Sequence, residues 1–229
     1  MMYRKFLNAR SPLRLLEKGL HGGLGRGNIG VVVAGHGGSK TSFLVGVALD
    51  ELMRGKPVLH VSLDQTVSHV RAFYDTVFDE LASSTRLDDT ARVHAELGRL
   101  RRIRVYPPAE FTSAKLREAV KLESENGARP ALIVIEGLDL DALPRDEIAD
   151  LKALAGELDA EVWLSARCAE ESVRIPAALR ALDDLVSVIL ALEPDAGHVR
   201  LRALKDHDNP DISELHVALD PKSLLLIRH

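Results

Sequence analysis

Cysteine is almost missing from this sequence. Cys168 stands alone among 229 residues, so no internal disulfide can form, and no set of Cys and His residues has metal-site spacing. A reducing compartment, the cytoplasm, is the expectation. A one-sided charge balance is missing too: 30 Lys and Arg face 34 Asp and Glu, a net charge of −4. That encodes no global pull toward nucleic acid or a membrane surface. No apolar run reaches membrane-spanning length, and the opening Met1-Met2-Tyr3-Arg4-Lys5-Phe6-Leu7-Asn8 lacks the apolar core of a secretion signal. Internal repeats, low-complexity segments and linkers are also missing, so the economical reading is a single domain over 1–229 with a short helical lead-in over 1–27. With 46% hydrophobic and 28% charged residues, the composition excludes a mainly disordered chain and is ample for one α/β core.

What is present centres on Val31-Val32-Val33-Ala34-Gly35-His36-Gly37-Gly38-Ser39-Lys40-Thr41-Ser42. An apolar, β-branched run ends in a small-residue loop that carries a lysine and hydroxyls. This is phosphate-binding chemistry: glycines let backbone N–H groups turn around an anion, and Lys40 supplies a mobile point charge. Gly35, His36, Gly37, Gly38, Ser39, Lys40, Thr41 and Ser42 are the candidate cradle, with Thr41 placed to reach Mg²⁺. The pattern G-x-x-x-x-G-K-[ST] fits with two departures, Ala34 at the first glycine and Ser39 at the second. A Ser39 backbone forced to φ > 0 would cost about 1 kcal/mol or more. The competing reading is a glycine-rich turn with no ligand.

Around this stretch, strands and helices alternate. A short helix is expected over 12–20, then the glycines of 22–27, then a strand from about residue 29. Residues 41–53 are apolar nearly all round, the mark of a buried helix. Strands follow at 57–62, 103–106, 131–135 and 161–165, separated by helical segments at about 67–82, 88–101, 113–125 and 144–159. Ala131-Leu132-Ile133-Val134-Ile135 is continuous rather than alternating, so it is buried on both faces. From Leu185 onward short strands follow one another with no helix between (185–192, 199–204, 215–219, 224–227). The fold expected is α/β: a mostly parallel β-sheet flanked by helices, with an antiparallel C-terminal strand extension along one edge, and ligands at the carboxyl ends of the parallel strands.

Two acids stand at such ends. Glu136 follows Leu132-Ile133-Val134-Ile135 and is the candidate to hold a metal's water shell opposite Thr41. Asp64, in Val61-Ser62-Leu63-Asp64-Gln65, is either a general base for a water or the N-cap of the next helix. Ser165 and Arg167 give a weaker γ-phosphate-sensing signal. Lys205-Asp206-His207-Asp208 could reach a neighbouring subunit's nucleotide, or be a polar turn. Arg99, Arg101, Arg102 and Arg104 could touch phosphates or an acidic partner but read as a solvated face; His36 could contact phosphate but reads as a solvent-facing filler; Trp163 could stack on adenine but reads as core, and Cys168 as a packing residue.

Taken together, Gly22-Gly23-Leu24-Gly25-Arg26-Gly27, the loop at 35–42, Val61 to Gln65, Leu132 to Glu136 and the strand-rich tail with Lys205 resemble the RecA-like ATPases, and within them the KaiC-like group. That group has a glycine before the loop lysine, glutamates where Asp64 and Gln65 stand, Asp where Glu136 stands, and a second basic residue where His207 stands. The resemblance implies ATP on Lys40, Thr41 and Ser42, Mg²⁺ between Thr41 and Glu136, a water near Asp64, and Lys205 acting in trans within a homo-oligomeric ring such as a hexamer. Asp64 is one methylene shorter than Glu, and a misplaced base costs on the order of a hundredfold in rate. The function expected is a slow or weak Mg-dependent ATPase, a nucleotide-controlled oligomeric switch that contacts an unidentified protein partner. The alternatives are an ordinary ATPase, a non-hydrolysing scaffold, a small-molecule kinase, or a DNA-handling module, the last opposed by the net negative charge.

Overall fold

The computed structural model describes residues 12–35, 39–167, 175–212 and 214–229, with residues 39 and 167 described by their backbone alone. The elements run α1 (Leu13–Gly19), β1 (Ile29–Ala34), α2 (Ser39–Met53), β2 (Val58–Ser62), α3 (Val67–Thr85), α4 (Thr90–Leu100), β3 (Arg101–Val105), α5 (Ser113–Glu125), β4 (Leu132–Glu136), α6 (Arg145–Leu158), β5 (Glu161–Arg167), α7 (Ala177–Arg180), β6 (Val188–Asp195), β7 (His198–Asp206), β8 (Val217–Leu219) and β9 (Leu226–Arg228).

The strands form one sheet of nine, in the order β3-β2-β4-β5-β1-β6-β7-β8-β9. Every pairing from β3 to β6 is parallel, and β7, β8 and β9 continue antiparallel from β6. The mostly parallel α/β sheet with its antiparallel C-terminal extension is therefore present. Strand limits differ from the expected ones by at most three residues; the sixth strand starts at Val188 rather than Leu185, because Leu182 to Val186 first pack under the sheet. Among the described residues, no helix is long and apolar enough to cross a membrane.

Strand periodicity splits the core in two. Val32 and Ala34 of β1 face α2, α3 and α4, whereas Ile29, Val31 and Val33 face α5, α6 and α7. Because side chains alternate at a period of two, a central strand covered on both faces buries every position, and β1, β2 and β4 are buried at every residue. Gly30 is the exception in size. It pairs with Trp163 of β5, whose ring lies across its Cα, and a Cβ there would fall 2.7 Å from Trp163 Cε3 and Cζ3. Trp163 in turn meets Phe43 of α2 edge to face at 5.4 Å. The expected packing role of Trp163 holds, at 2% exposure, and it ties β1, β5 and α2 together.

Helix α2 leaves β1 on one face of the sheet, and the segment after β5 packs on the other through Leu179 and Leu182. The carboxyl ends of β1 and β5 thus bound a topological switch point, where open α/β sheets hold their ligands.

Candidate functional site

The loop that follows β1 opens at this switch point. Ala34 is the last strand residue and Gly35 is exposed, with open space where a Cβ would be. His36, Gly37 and Gly38 lie outside the described residues, as does Cys168. Ser39 already belongs to α2, so its backbone is helical and the strain foreseen for φ > 0 does not arise. Lys40 and Thr41 occupy the first turn of α2, both half-buried, and Ser42 is buried. Lys40 Nζ donates to the Gly35 carbonyl at 3.4 Å, so the lysine folds back over the loop's opening. A helix N-terminus with a lysine folded over it is suited to an anion.

Glu136 ends β4 in register with Ser62 of β2. It is buried, and its side chain falls on the face that carries α2, because residues 132 and 134 of the same strand pack there. A carboxylate so placed needs a partner, and it has one: His60 Nε2 lies 3.0 Å from Glu136 Oε2. His60 Nδ1 lies 3.1 Å from the Tyr74 hydroxyl of α3. A hydrogen-bond arrangement that satisfies every group is Tyr74 O–H donating to Nδ1 and Nε2–H donating to Glu136. Burial pushes the Tyr74 phenol well above its ordinary value, against the pull of Arg101 and with the push of Glu136. Arg101 stacks over the Tyr74 ring at 4.7 Å and is itself lowered, first by burial.

That placement corrects the reading of the arginine run as a solvated face for Arg101, Arg102 and Arg104, whereas Arg99 is exposed as that reading has it. Arg101 is mostly buried, at 12% side-chain exposure, and Arg102 and Arg104 both bind the buried Glu123, at 3.0 and 2.7 Å. Alternation along β3 sends these arginines onto the neighbouring helices, which the run of charges alone did not reveal.

Asp64 is exposed beyond the end of β2. It does not cap α3: Thr66 does, accepting from the His69 amide. The N-cap reading is thereby replaced. Asp64 Oδ1 instead accepts from the Ser62 hydroxyl at 3.3 Å and leans over Gly137, where a Cβ would stand 3.0 Å from Asp64 Cγ. Gly137 has φ +83°, so both its backbone and its neighbour require glycine. Its amide donates to Ser165 Oγ at 3.2 Å, and Ser165 pairs in register with Val32 of β1. Ser62, Asp64, Glu136, Gly137 and Ser165 therefore form one continuous ledge across β2, β4 and β5, leading to the loop after β1. The side chain of Arg167 is not described.

Lys205 lies elsewhere. It pairs with Ile189 near the start of β6, while the loop end of β1 pairs with Leu192 and thence with Leu201. Four residues separate Leu201 from Lys205, about 13 Å along the strand, toward the amino ends of the parallel strands. Lys205 does not join Lys40 within one chain. Its Nζ binds the Asp183 carbonyl and, at 2.8 Å, Asp183 Oδ1. Beside it the buried Asp206 bridges His21 and His207, at 2.7 and 2.9 Å. His207 Nε2 faces the Leu24 carbonyl at 3.1 Å, which moors the glycine-rich lead-in to β7. Burial raises the Asp206 carboxyl, and the hydrogen bonds from the two histidines more than offset it, leaving the group below its ordinary value.

His60, Tyr74 and Gly137 were not singled out from sequence. The signal for His60 was available: one polar residue within a strand buried on both faces must find a polar partner, and parity puts it on the side of Glu136. Tyr74 carried no such signal, because it is one apolar-face position among several on α3.

The fold and ledge define an α/β protein with its candidate site at the carboxyl edge of a mostly parallel sheet. No family model matches the sequence, and no curated protein matches it.

Proposed function

We propose that this protein binds ATP with Mg²⁺ at the loop after β1 and uses the bound nucleotide to control self-association, with hydrolysis slow. The observation that carries the reading is the placement of Lys40 and Thr41 at the head of α2, just after β1, on the same carboxyl edge of the sheet as two acids, Asp64 beyond β2 and Glu136 at the end of β4. Lys40, Thr41 and Ser42 hold the phosphates in this reading. The hydroxyl of Thr41 and the carboxylate of Glu136 are hard oxygen donors of the kind Mg²⁺ takes, and His60 orients the Glu136 carboxylate as outer partners do at metal sites. The ion supplies charge neutralisation at the phosphates.

The same geometry supports slow turnover in this reading. One oxygen of Glu136 is engaged by His60, and Asp64 is short, exposed and leaning on Gly137 rather than held by a charged partner. Lys205 stands on the opposite edge of the sheet, so in this reading it serves a neighbouring copy, in a RecA-like ring of the KaiC-like kind, after release from Asp183.

Titration calorimetry with ATP and Mg²⁺ tests the binding. Micromolar affinity is expected in the wild type, with a loss of tenfold or more in Lys40→Ala. The absence of binding at millimolar ATP would overturn the reading in favour of a scaffold that takes no nucleotide. Mass measurement with and without ATP then tests the oligomer, and steady-state turnover with Asp64→Ala tests the slow hydrolysis.

A further inference from the structure

At the far end of the antiparallel extension, a second cluster stands apart from the β1 loop. β6 and β7 join through a two-residue turn, Ala196-Gly197, with φ +29° and +99°, so Asp195 and His198 face each other in register and project to the same side. His229, just past β9, is fixed by its own amide, which donates to the His216 carbonyl at 3.0 Å. The result is one carboxylate and two imidazoles whose ligand atoms all lie within 4.8 Å of one another.

Hydrogen bonding does not account for this grouping. His198 Nε2 is shielded from solvent and has no hydrogen-bond partner among the described residues; the nearest Asp195 oxygen is 3.7 Å away, beyond bonding range. The His198 and His229 rings sit 4.3 Å apart at 51°, too tilted to stack. The nearby acid Glu193 is already turned toward Arg200 and Arg202, at 3.5 and 3.1 Å, and so is not part of the set. A shielded imidazole nitrogen with no partner, beside a carboxylate and a second imidazole, is costly as it stands. The same spacing suits a metal: four-coordinate Zn²⁺ with bonds of about 2.1 Å separates its ligand atoms by roughly 3.4 Å, which small side-chain rotations would reach.

We propose that Asp195, His198 and His229 form a site for one divalent transition-metal ion of the Zn²⁺ class, which clips the β6–β7 hairpin to the end of β9. Two imidazoles and a carboxylate favour Zn²⁺ or Co²⁺ over Mg²⁺, which demands six oxygen ligands in an octahedron. Water completes the coordination. The site is independent of the nucleotide reading, since no residue is shared.

The test uses the full chain after chelator treatment, titrated with Zn²⁺ by calorimetry and with Co²⁺ by visible absorption. One equivalent binding in the micromolar range or tighter is expected, with d–d bands of a low-coordinate site and a rise in Tm on adding Zn²⁺. His198→Ala and the near-isosteric Asp195→Asn each weaken binding by more than about tenfold and abolish the Tm rise, whereas His69→Ala, in the first turn of α3, leaves both unchanged. Absence of saturable binding below about 100 µM, or unchanged affinity in both His198→Ala and Asp195→Asn, overturns the proposal.

Discussion

Gly30→Ala is the sharpest test of how β1 is held under the loop. The added methyl would lie 2.7 Å from two carbons of the Trp163 ring, about 1 Å inside normal contact. The ring has no easy retreat, because Phe43 closes its other side at 5.4 Å and the residue is 2% exposed. Overpacking of this kind costs about 1–3 kcal/mol, while replacing glycine stiffens the unfolded chain and returns about 0.4–1 kcal/mol. The net expectation is a destabilisation of about 1–2 kcal/mol, a fall in Tm of roughly 2–8 °C for a chain of this size. Trp163 is the only tryptophan, so its fluorescence reports on this contact alone, and the emission of Gly30→Ala should differ from wild type. Urea unfolding followed by circular dichroism, on Gly30→Ala, Trp163→Phe and the double variant, isolates the clash: the smaller ring should recover about 1 kcal/mol of it. Wild-type stability in Gly30→Ala with unchanged emission would refute the reasoning, and so would strict additivity in the cycle.

The His60–Glu136 pair should respond as buried partners do. His60→Leu leaves a buried carboxylate without its donor and should cost about 3–5 kcal/mol, whereas His60→Leu with Glu136→Leu should recover most of that loss in denaturant unfolding. At the amino end of β5, burial and then the charge of Glu51 push the Glu161 carboxyl up to about 7. Its folded-state value exceeds the unfolded one, so the folded protein holds more protons between about pH 4.5 and 7, and stability falls as pH rises through that window. Glu161→Gln should flatten this part of the pH–stability profile and stabilise the protein at pH 8 by up to about 3 kcal/mol; an unaltered profile would place the ionisation elsewhere.

Much of the architecture was legible from local pattern. Continuous apolar runs such as Leu132 to Ile135 are buried on both faces because only parallel strands covered by helices use them. The change of texture after Leu185 marks the C-terminal strands, but the first of them, β6, still runs parallel to β1, and the antiparallel extension begins only with β7. The loop after Val33 stands out by residue type, and Glu136 and Asp64 stand out by their place after apolar runs. Local pattern also set the helix limits to within a few residues, since caps and periodicity act over one or two turns.

Side-chain partnership was not legible, because partners come from distant elements. His60 and Glu136 are 76 residues apart and meet only when β2 and β4 pair in register. Thr66 rather than Asp64 caps α3 because the backbone turns two residues later than the acid, and Asp64 is left to lean on Gly137. Lys205 carries no mark of which edge it occupies until the antiparallel pairing of β7 with β6 sends it away from Lys40. Asp195, His198 and His229 have no metal-site spacing along the chain, yet a two-residue turn and the course of β9 bring them together. The amino-acid sequence by itself determines the alternation of elements and the chemistry at each strand end. Tertiary structure alone decides which of those groups meet, because strand order and register are set by the burial of whole faces rather than by any residue's neighbours in the chain.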